Sequence, residues 1–254
     1  MEIWLILPAF NEGANLSPLL EGIAATIGAA GIPYGVIVVD DGSTDDTRAV
    51  AGALGEHLPV QVVAHPHNRG LARTIETGLV AVLSQANGTD VVVTMDADNT
   101  HPPDLIPRMV EEIRRGADLV IASRYAPGGA EEGVPLLRRV LSHGIGVLMR
   151  LRFGLHGVRD YSSGYRMYRA RLLHAATKRY GARLIESPGF TVMAELLLKL
   201  QPFRPRVVEV PLHLRYDRKR GGSKMRVLQT VVGYLSLLFT RLPAPTSAEG
   251  VNRL

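Results

Sequence analysis

A chain of 254 residues, 46% hydrophobic and 21% charged, is long enough to bury an ordinary core and too apolar for a disordered coil. The absence of cysteine excludes a disulfide scaffold, a thiolate metal site and a cysteine nucleophile, so any metal must sit on oxygen or imidazole. The formal charge of +5 is regional: residues 204–226 hold eight Arg or Lys against Glu209 and Asp217, residues 138–159 hold five Arg and no acid, and the two windows carry +11 against −6 elsewhere, a distribution unlike a general nucleic-acid coat.

The first residues, Met1-Glu2-Ile3-Trp4-Leu5-Ile6-Leu7-Pro8, carry an acid where an export signal has a base, and the apolar run stops after five residues. They predict a first strand and no signal peptide. Short β-branched runs then predict strands over 3–8, 35–40, 60–64, 90–95 and 118–122. Helical periodicity fills 15–29, 45–54, 71–84 and 103–114. Strands apolar on both faces, alternating with helices, predict an α/β fold with a mostly parallel central sheet flanked by helices. After Tyr125 come a Gly/Pro loop at 126–135, an apolar-basic helix at 136–153, a strand or loop pair at 161–168, a helix at 191–200, a strand at 206–214 and a Gly-rich basic loop. The last charge-free apolar stretch, 227–240, is interrupted by Gln229, Thr230, Gly233 and Ser236 and is shorter than the ~20 residues a bilayer span requires. One catalytic domain over 1–222 is expected, followed by an amphipathic helix and polar tail over 223–254.

Ligands of parallel sheets bind beyond the carboxyl ends of the strands, and the chemically distinctive residues lie there. Pro8, Ala9, Asn11 and Glu12 follow the first strand, Asp40 and Asp41 end the second, and Asp96-Ala97-Asp98 ends the fourth. Two carboxylates one residue apart after an apolar strand can converge on a hard cation such as Mg²⁺ or Mn²⁺, which bridges to phosphates. The plain structural alternative is a pair of turn or capping acids before Pro102-Pro103. Ser43 and Asp45 read equally as helix caps, but capping does not explain Asp40 and Asp41 side by side. No G-x-G-x-x-G follows the first strand and no G-x-x-x-x-G-K-[ST] occurs, so a dinucleotide-binding or P-loop enzyme is not expected.

The ordered set Pro8-Ala9-Phe10-Asn11-Glu12, Val38-Val39-Asp40-Asp41-Gly42-Ser43, Asn68-Arg69-Gly70-Leu71, Asp96-Ala97-Asp98 with His101-Pro102-Pro103, and Ser123-Arg124-Tyr125 resembles glycosyltransferase family 2. Within it the chain is most similar to the dolichol-phosphate and polyprenol-phosphate mannose synthases, over roughly residues 3–226. The resemblance implies a GT-A fold and inverting transfer of a hexose, with mannose expected, from a nucleotide-diphosphate sugar such as GDP-mannose. It further implies that Pro8, Ala9, Asn11, Glu12, Asp40, Asp41, Asp96 and Ala97 line the nucleotide-sugar site. Asp96 and Asp98 would hold Mg²⁺ or Mn²⁺, with Thr100, standing where relatives often have Gln, as the expected third ligand.

The acceptor residues implied by the resemblance are Arg124, Arg138 with Ser142, Arg218, and Lys224 in Gly222-Ser223-Lys224, around the phosphate of a polyprenyl phosphate. All but Arg124 fall in the two basic windows. A phosphate monoester is anionic near neutral pH and can attack without a protein base, so the site needs cationic forks to place it. Asp98, Arg124 and Arg138 are accordingly the expected catalytic residues. Asp160 and Ser163, in Asp160-Tyr161-Ser162-Ser163-Gly164-Tyr165-Arg166, are candidates for sugar hydroxyls, or simply a β-turn.

Residues 224–242 carry Met225, Leu228, Val231, Val232, Leu235, Leu238 and Phe239 at helical spacing behind a basic cluster. They predict either a helix at the surface of an anionic membrane or one packed on the domain. The expected partners are the nucleotide sugar, the lipid phosphate and the membrane surface, with a membrane subunit or second copy using the same face, and no nucleic acid. A peripheral enzyme at the cytoplasmic face follows. Rival readings are the same fold with UDP-glucose or another UDP-sugar, a hydroxyl acceptor requiring a base for which Asp160 is the candidate, and a degenerate lipid-binding module.

Overall fold

The computed structural model describes residues 1–187, 189–218 and 227–239, without the side chains of 137, 138 and 227–229. A seven-stranded sheet is built from β1 (Ile3–Ala9), β2 (Tyr34–Asp40), β3 (Val60–Ala64), β4 (Val91–Thr94), β5 (Leu119–Ser123), β7 (Arg166–Arg169) and β8 (Val207–Pro211) in the order β3-β2-β1-β4-β7-β5-β8. All neighbours pair in parallel except β7, which runs antiparallel to both β4 and β5. A two-stranded parallel ribbon joins β6 (Ala130–Glu132) to β9 (His213–Arg215).

The apolar runs alternate between two cores, as side chains on a strand must. Leu5, Leu7, Val36, Val38 and Val93 pack under α1 (Gly13–Ala29) and α4 (Ile106–Arg114). Ile6, Ile37, Val39 and Val92 pack on the other face under α3 (Leu71–Leu83), α6 (Ala170–Tyr180) and α7 (Val192–Leu200). Helix α3 presses on β1 at Gly78, where a Cβ would come within 2.3 Å of Ile6 Cγ2. Burying both faces at ~1.5–3 kcal/mol per large aliphatic side chain explains why these strands show no polar alternation.

The predicted elements agree with these bounds to within a few residues, and the expected helices at 45–54 and 136–153 are α2 (Thr47–Leu54) and α5 (Leu136–Phe153). Helix α8 (Val227–Leu238) lies against α5, with Arg152 Nε donating to the Leu238 carbonyl at 2.9 Å. No helix among the described residues is long and apolar enough to cross a membrane. The expected boundary at 222/223 lies outside the described residues.

Candidate active site

The strand pairing sets the site. Register partners Ala9 and Asp40 bring the ends of β1 and β2 side by side, and β4 ends next to them. Asn11, at φ 53°, ties the first two loops together: its N–H donates to Ser43 Oγ (2.9 Å) and its Oδ1 accepts the Thr44 N–H (2.8 Å). Glu12 is buried; its N–H donates to Thr47 Oγ1 (2.8 Å) and its Oε2 accepts Asn15 Nδ2 (2.6 Å). Asp40 Oδ1 accepts the Ser43 N–H (3.0 Å). Asp41 anchors the loop between β3 and α3, accepting the Arg69 and Gly70 N–H groups at 2.8 Å each.

His65, absent from the sequence reading, meets Asp41 Oδ1 through Nδ1 (2.7 Å) and Thr77 Oγ1 through Nε2 (2.9 Å). A lone histidine at a strand end carries no sequence signal; only the fold brings it to Asp41.

Beyond β4 the chain turns tightly through Asn99 at φ 61°. Asp96 keeps its side chain 44% exposed, whereas Asp98 is buried and accepts the Thr100 N–H (3.2 Å) and hydroxyl (2.6 Å) on Oδ1. Thr100, the expected third ligand, thus holds Asp98 in place. The Asp96 N–H donates to His101 Nδ1 (3.0 Å), and the buried His101 ring stacks on Tyr165 with centroids 5.1 Å apart. At Gly164 a Cβ would stand 3.2 Å from Asp96 Oδ1, so glycine lets this loop pass the carboxylate. Among the described residues no group of three or more His, Asp or Glu encloses a metal. Two carboxylates that leave other positions to phosphate oxygens and water fit a magnesium-type ion.

Arg124, after β5, is fixed on all sides. Its Nε donates to Asp160 Oδ2 (2.8 Å), Nη2 to Asp160 Oδ1 (2.8 Å) and Ser162 Oγ (2.6 Å), and Nη1 to Glu131 Oε1 (3.1 Å). Its guanidinium lies 5.1 Å from the Tyr125 ring centroid, and Tyr125 Oη pairs with Ser142 Oγ of α5 at 3.1 Å. Burial works against both charges, but Asp160 holds the guanidinium pKa above its usual value and Arg124 holds the Asp160 carboxyl below its own. Asp160, expected at a sugar hydroxyl, is fully buried, with its carboxylate on Arg124 and on the Ser162 and Ser163 N–H groups. Ser163 faces the cavity described below and donates its hydroxyl to the Ala122 carbonyl (2.6 Å). Arg218 is exposed in a short 3₁₀ turn after β9. The Arg138 side chain and Lys224 lie outside the described residues.

Residues of the Asp96 turn, the Arg124 cluster and helices α5 and α8 border one cavity. Asp96, Asp98, Thr100, Arg124, Ser142 and Ser162 belong to its polar lining, and Leu141 and Ile145 of α5, Val231 of α8, Phe190, Leu212 and Leu214 to its apolar lining. A smaller pocket meets it at Asp96, Ser162, Gly164 and Phe190 and extends to Pro8 and Leu71. The arrangement offers carboxylates for a cation, an arginine and hydroxyls for an anion, and apolar side chains in the same cavity.

The family model described as glycosyl transferase family 2 matches residues 4–176. The chain is 32% identical over 240 residues to the dolichol-phosphate mannosyltransferase of Pyrococcus furiosus, covering 94% of this chain and 63% of that one. Thus it spans somewhat less than two thirds of that relative. It is 34% identical to the polyprenol monophosphomannose synthase of Mycolicibacterium smegmatis (87% and 80% covered) and 33% identical to the undecaprenyl-phosphate mannosyltransferase of Micrococcus luteus (99% and 98% covered). Among solved structures, glucosyl-3-phosphoglycerate synthase from Mycobacterium tuberculosis with Mn²⁺ and UDP-glucose superposes with a TM-score of 0.69 at 24% identity, over 97% of this chain and 80% of that one, a likeness of fold.

Proposed function

The chain belongs to glycosyltransferase family 2, with a GT-A-like fold, and we propose that it transfers mannose, with inversion, from GDP-mannose to the phosphate of a polyprenyl phosphate at the cytoplasmic face of a membrane. The observation that carries this reading is the cavity that Asp96, Asp98 and Arg124 share with apolar side chains of α5 and α8. An amphiphile with an anionic head would use both kinds of lining, whereas a free sugar or glycan would leave the apolar side chains without a partner.

Asp96 and Asp98 would hold a divalent cation, Mg²⁺ or Mn²⁺, which when bound offsets charge on the donor diphosphate. Pro8, Ala9, Asn11, Glu12, Asp40 and Asp41 would border the nucleoside. Arg124, Ser142 and the basic residues Arg138, Arg218 and Lys224 would orient the acceptor phosphate, whose oxygen attacks the anomeric carbon as its bond to the diphosphate breaks. No proton needs to be removed from a phosphate dianion. The commitment of Asp160 to Arg124 supports this over a hydroxyl acceptor, because the one candidate base is buried in an ion pair.

The outer faces of α5 and α8 support membrane association. Leu136, Val140, Val147, Leu148 and Leu151 on α5 are exposed, as are Val232, Leu235 and Phe239 on and beside α8, with Arg139 exposed among them. Apolar side chains interleaved with arginine suit an anionic bilayer surface. The test is incubation with radiolabelled GDP-mannose or UDP-glucose, polyprenyl phosphate and Mg²⁺ or Mn²⁺. Lipid-linked mannose is the expected product; lipid-linked glucose alone would reassign the donor, and no lipid-linked product from any donor would overturn the reading.

A further inference from the structure

Helix α8 has an inner face as well as an outer one. Tyr234 and Leu237 are 4% and 5% exposed and point inward, while Val232, Leu235 and Phe239, offset by helical spacing, point outward. The helix sits tightly on the 3₁₀ turn Gly189–Thr191: a Cβ at Gly233 would lie 2.8 Å from Thr191 Cγ2. That seat carries Tyr234 to the wall of the cavity that also holds Arg124, Ser142 and Ser162. An inward tyrosine is unnecessary for packing alone, because phenylalanine fills the same volume.

The Tyr234 hydroxyl donates to the Phe190 carbonyl at 3.4 Å, the far limit of hydrogen-bond distance. A weakly held donor can turn to a better acceptor with little loss. Burial pushes the phenol pKa up, so the group stays protonated. Phe190, whose carbonyl holds the Tyr234 hydroxyl, borders both pockets.

We propose that the Tyr234 hydroxyl donates a hydrogen bond to the acceptor phosphate, so that the helix bearing the outer apolar face also completes the acceptor site. This rests on the polyprenyl-phosphate reading above. The phenol keeps its proton throughout; its contribution is to bind and orient the phosphate oxygen. A helix displaced from the 3₁₀ turn would withdraw this donor, so seating of α8 and engagement of the lipid head become one event.

The test compares wild type with Tyr234→Phe, which removes one oxygen and preserves packing, using polyprenyl phosphate in detergent and a water-soluble short-chain prenyl phosphate. A neutral donor to a charged phosphate predicts a rise in acceptor KM of about ten- to one hundred-fold for both acceptors. The donor KM, vesicle co-sedimentation and melting temperature should not move. An acceptor KM within twofold of wild type would overturn the assignment. So would an equal rise in donor and acceptor KM with a lowered melting temperature, which marks a strut under Phe190. If wild type transfers no sugar to either acceptor, the functional reading falls and this assignment with it, whereas an active wild type with an unchanged variant removes Tyr234 alone.

Discussion

Arg124 and Asp160 meet fork to fork, Nε to Oδ2 and Nη2 to Oδ1 at 2.8 Å each, with the carboxylate fully buried. This pair joins the end of β5 to the loop before β7, and Glu131 at 3.1 Å adds the ribbon strand β6. Asp160→Asn should destabilise the fold by about 3–5 kcal/mol, because it strands a guanidinium among groups arranged for a carboxylate. The pH dependence has a definite sign. The folded-state pKa of Asp160 is depressed, so its stabilisation is fully present above the unfolded carboxyl pKa of about 3.9 and is lost as pH falls below that, through the folded value. Urea melts from pH 7 down to pH 2 should show wild type losing stability below about pH 4 more steeply than Asp160→Asn; parallel curves would show that the pair carries no such linkage.

The parts of the fold legible in the sequence were those where one physical pattern dominates. Runs such as Leu5-Ile6-Leu7 and Val91-Val92-Val93 face two cores at once and stand out, and the acids Asp40, Asp41, Asp96 and Asp98 are conspicuous because they end those runs. Helix α6 carries a weak sequence signal, because its buried residues are Ala170, Leu172, Leu173 and Ala176 among Arg171, Lys178 and Arg179. Strand β6 is three residues long and exists through its pairing with β9, 83 residues away in sequence (Ala130 with His213). The site partners His65 and Glu131 belong to no motif: each matters for the carboxylate or guanidinium that folding sets against it. The outward leucines and valines of α5 carry no separate sequence signal, since exposure is a property of the packed domain.

His101 ties the turn bearing the two acids to its own ring, through Asp96 N–H to Nδ1 at 3.0 Å. Asp98→Ala should abolish metal-dependent turnover and the binding of Mn²⁺ in the presence of nucleoside diphosphate. His101→Phe should weaken Mn²⁺ about ten- to one hundred-fold, the usual scale for groups that orient metal ligands. His101→Asn, whose Oδ1 can replace Nδ1 as acceptor, should recover part of that loss. Electron paramagnetic resonance titration of Mn²⁺ measures all three; Mn²⁺ affinity unaffected by Asp98→Ala would remove the metal assignment.

Leu151 is 80% exposed on α5 and Phe239 87% exposed just after α8. Each would contribute up to about 1.5–3 kcal/mol on entering an apolar phase. The pair Leu151→Glu and Phe239→Glu should therefore lower partitioning onto vesicles containing anionic lipid by at least about tenfold, read by co-sedimentation. Turnover of a water-soluble prenyl phosphate should remain near wild type, because both side chains point away from the cavity. Equal vesicle binding by wild type and variant would show that this face does not meet the membrane.

The pH profile separates a phosphate acceptor from a hydroxyl one. A phosphate monoester passes from monoanion to dianion with a pKa of about 6, so kcat/KM for the acceptor should rise with pH through that value and level off above it. Asp160 adds no inflection there, because Arg124 holds its carboxyl ionised throughout this range, below the usual carboxylate values. The origin of the inflection can be moved without touching the protein: a phosphonate analogue of the acceptor has a higher second pKa, and the rise in kcat/KM should shift upward with it. If the midpoint is the same for phosphate and phosphonate, the titrating group belongs to the enzyme, a protein base takes part in the transfer, and the case for a self-sufficient phosphate nucleophile fails.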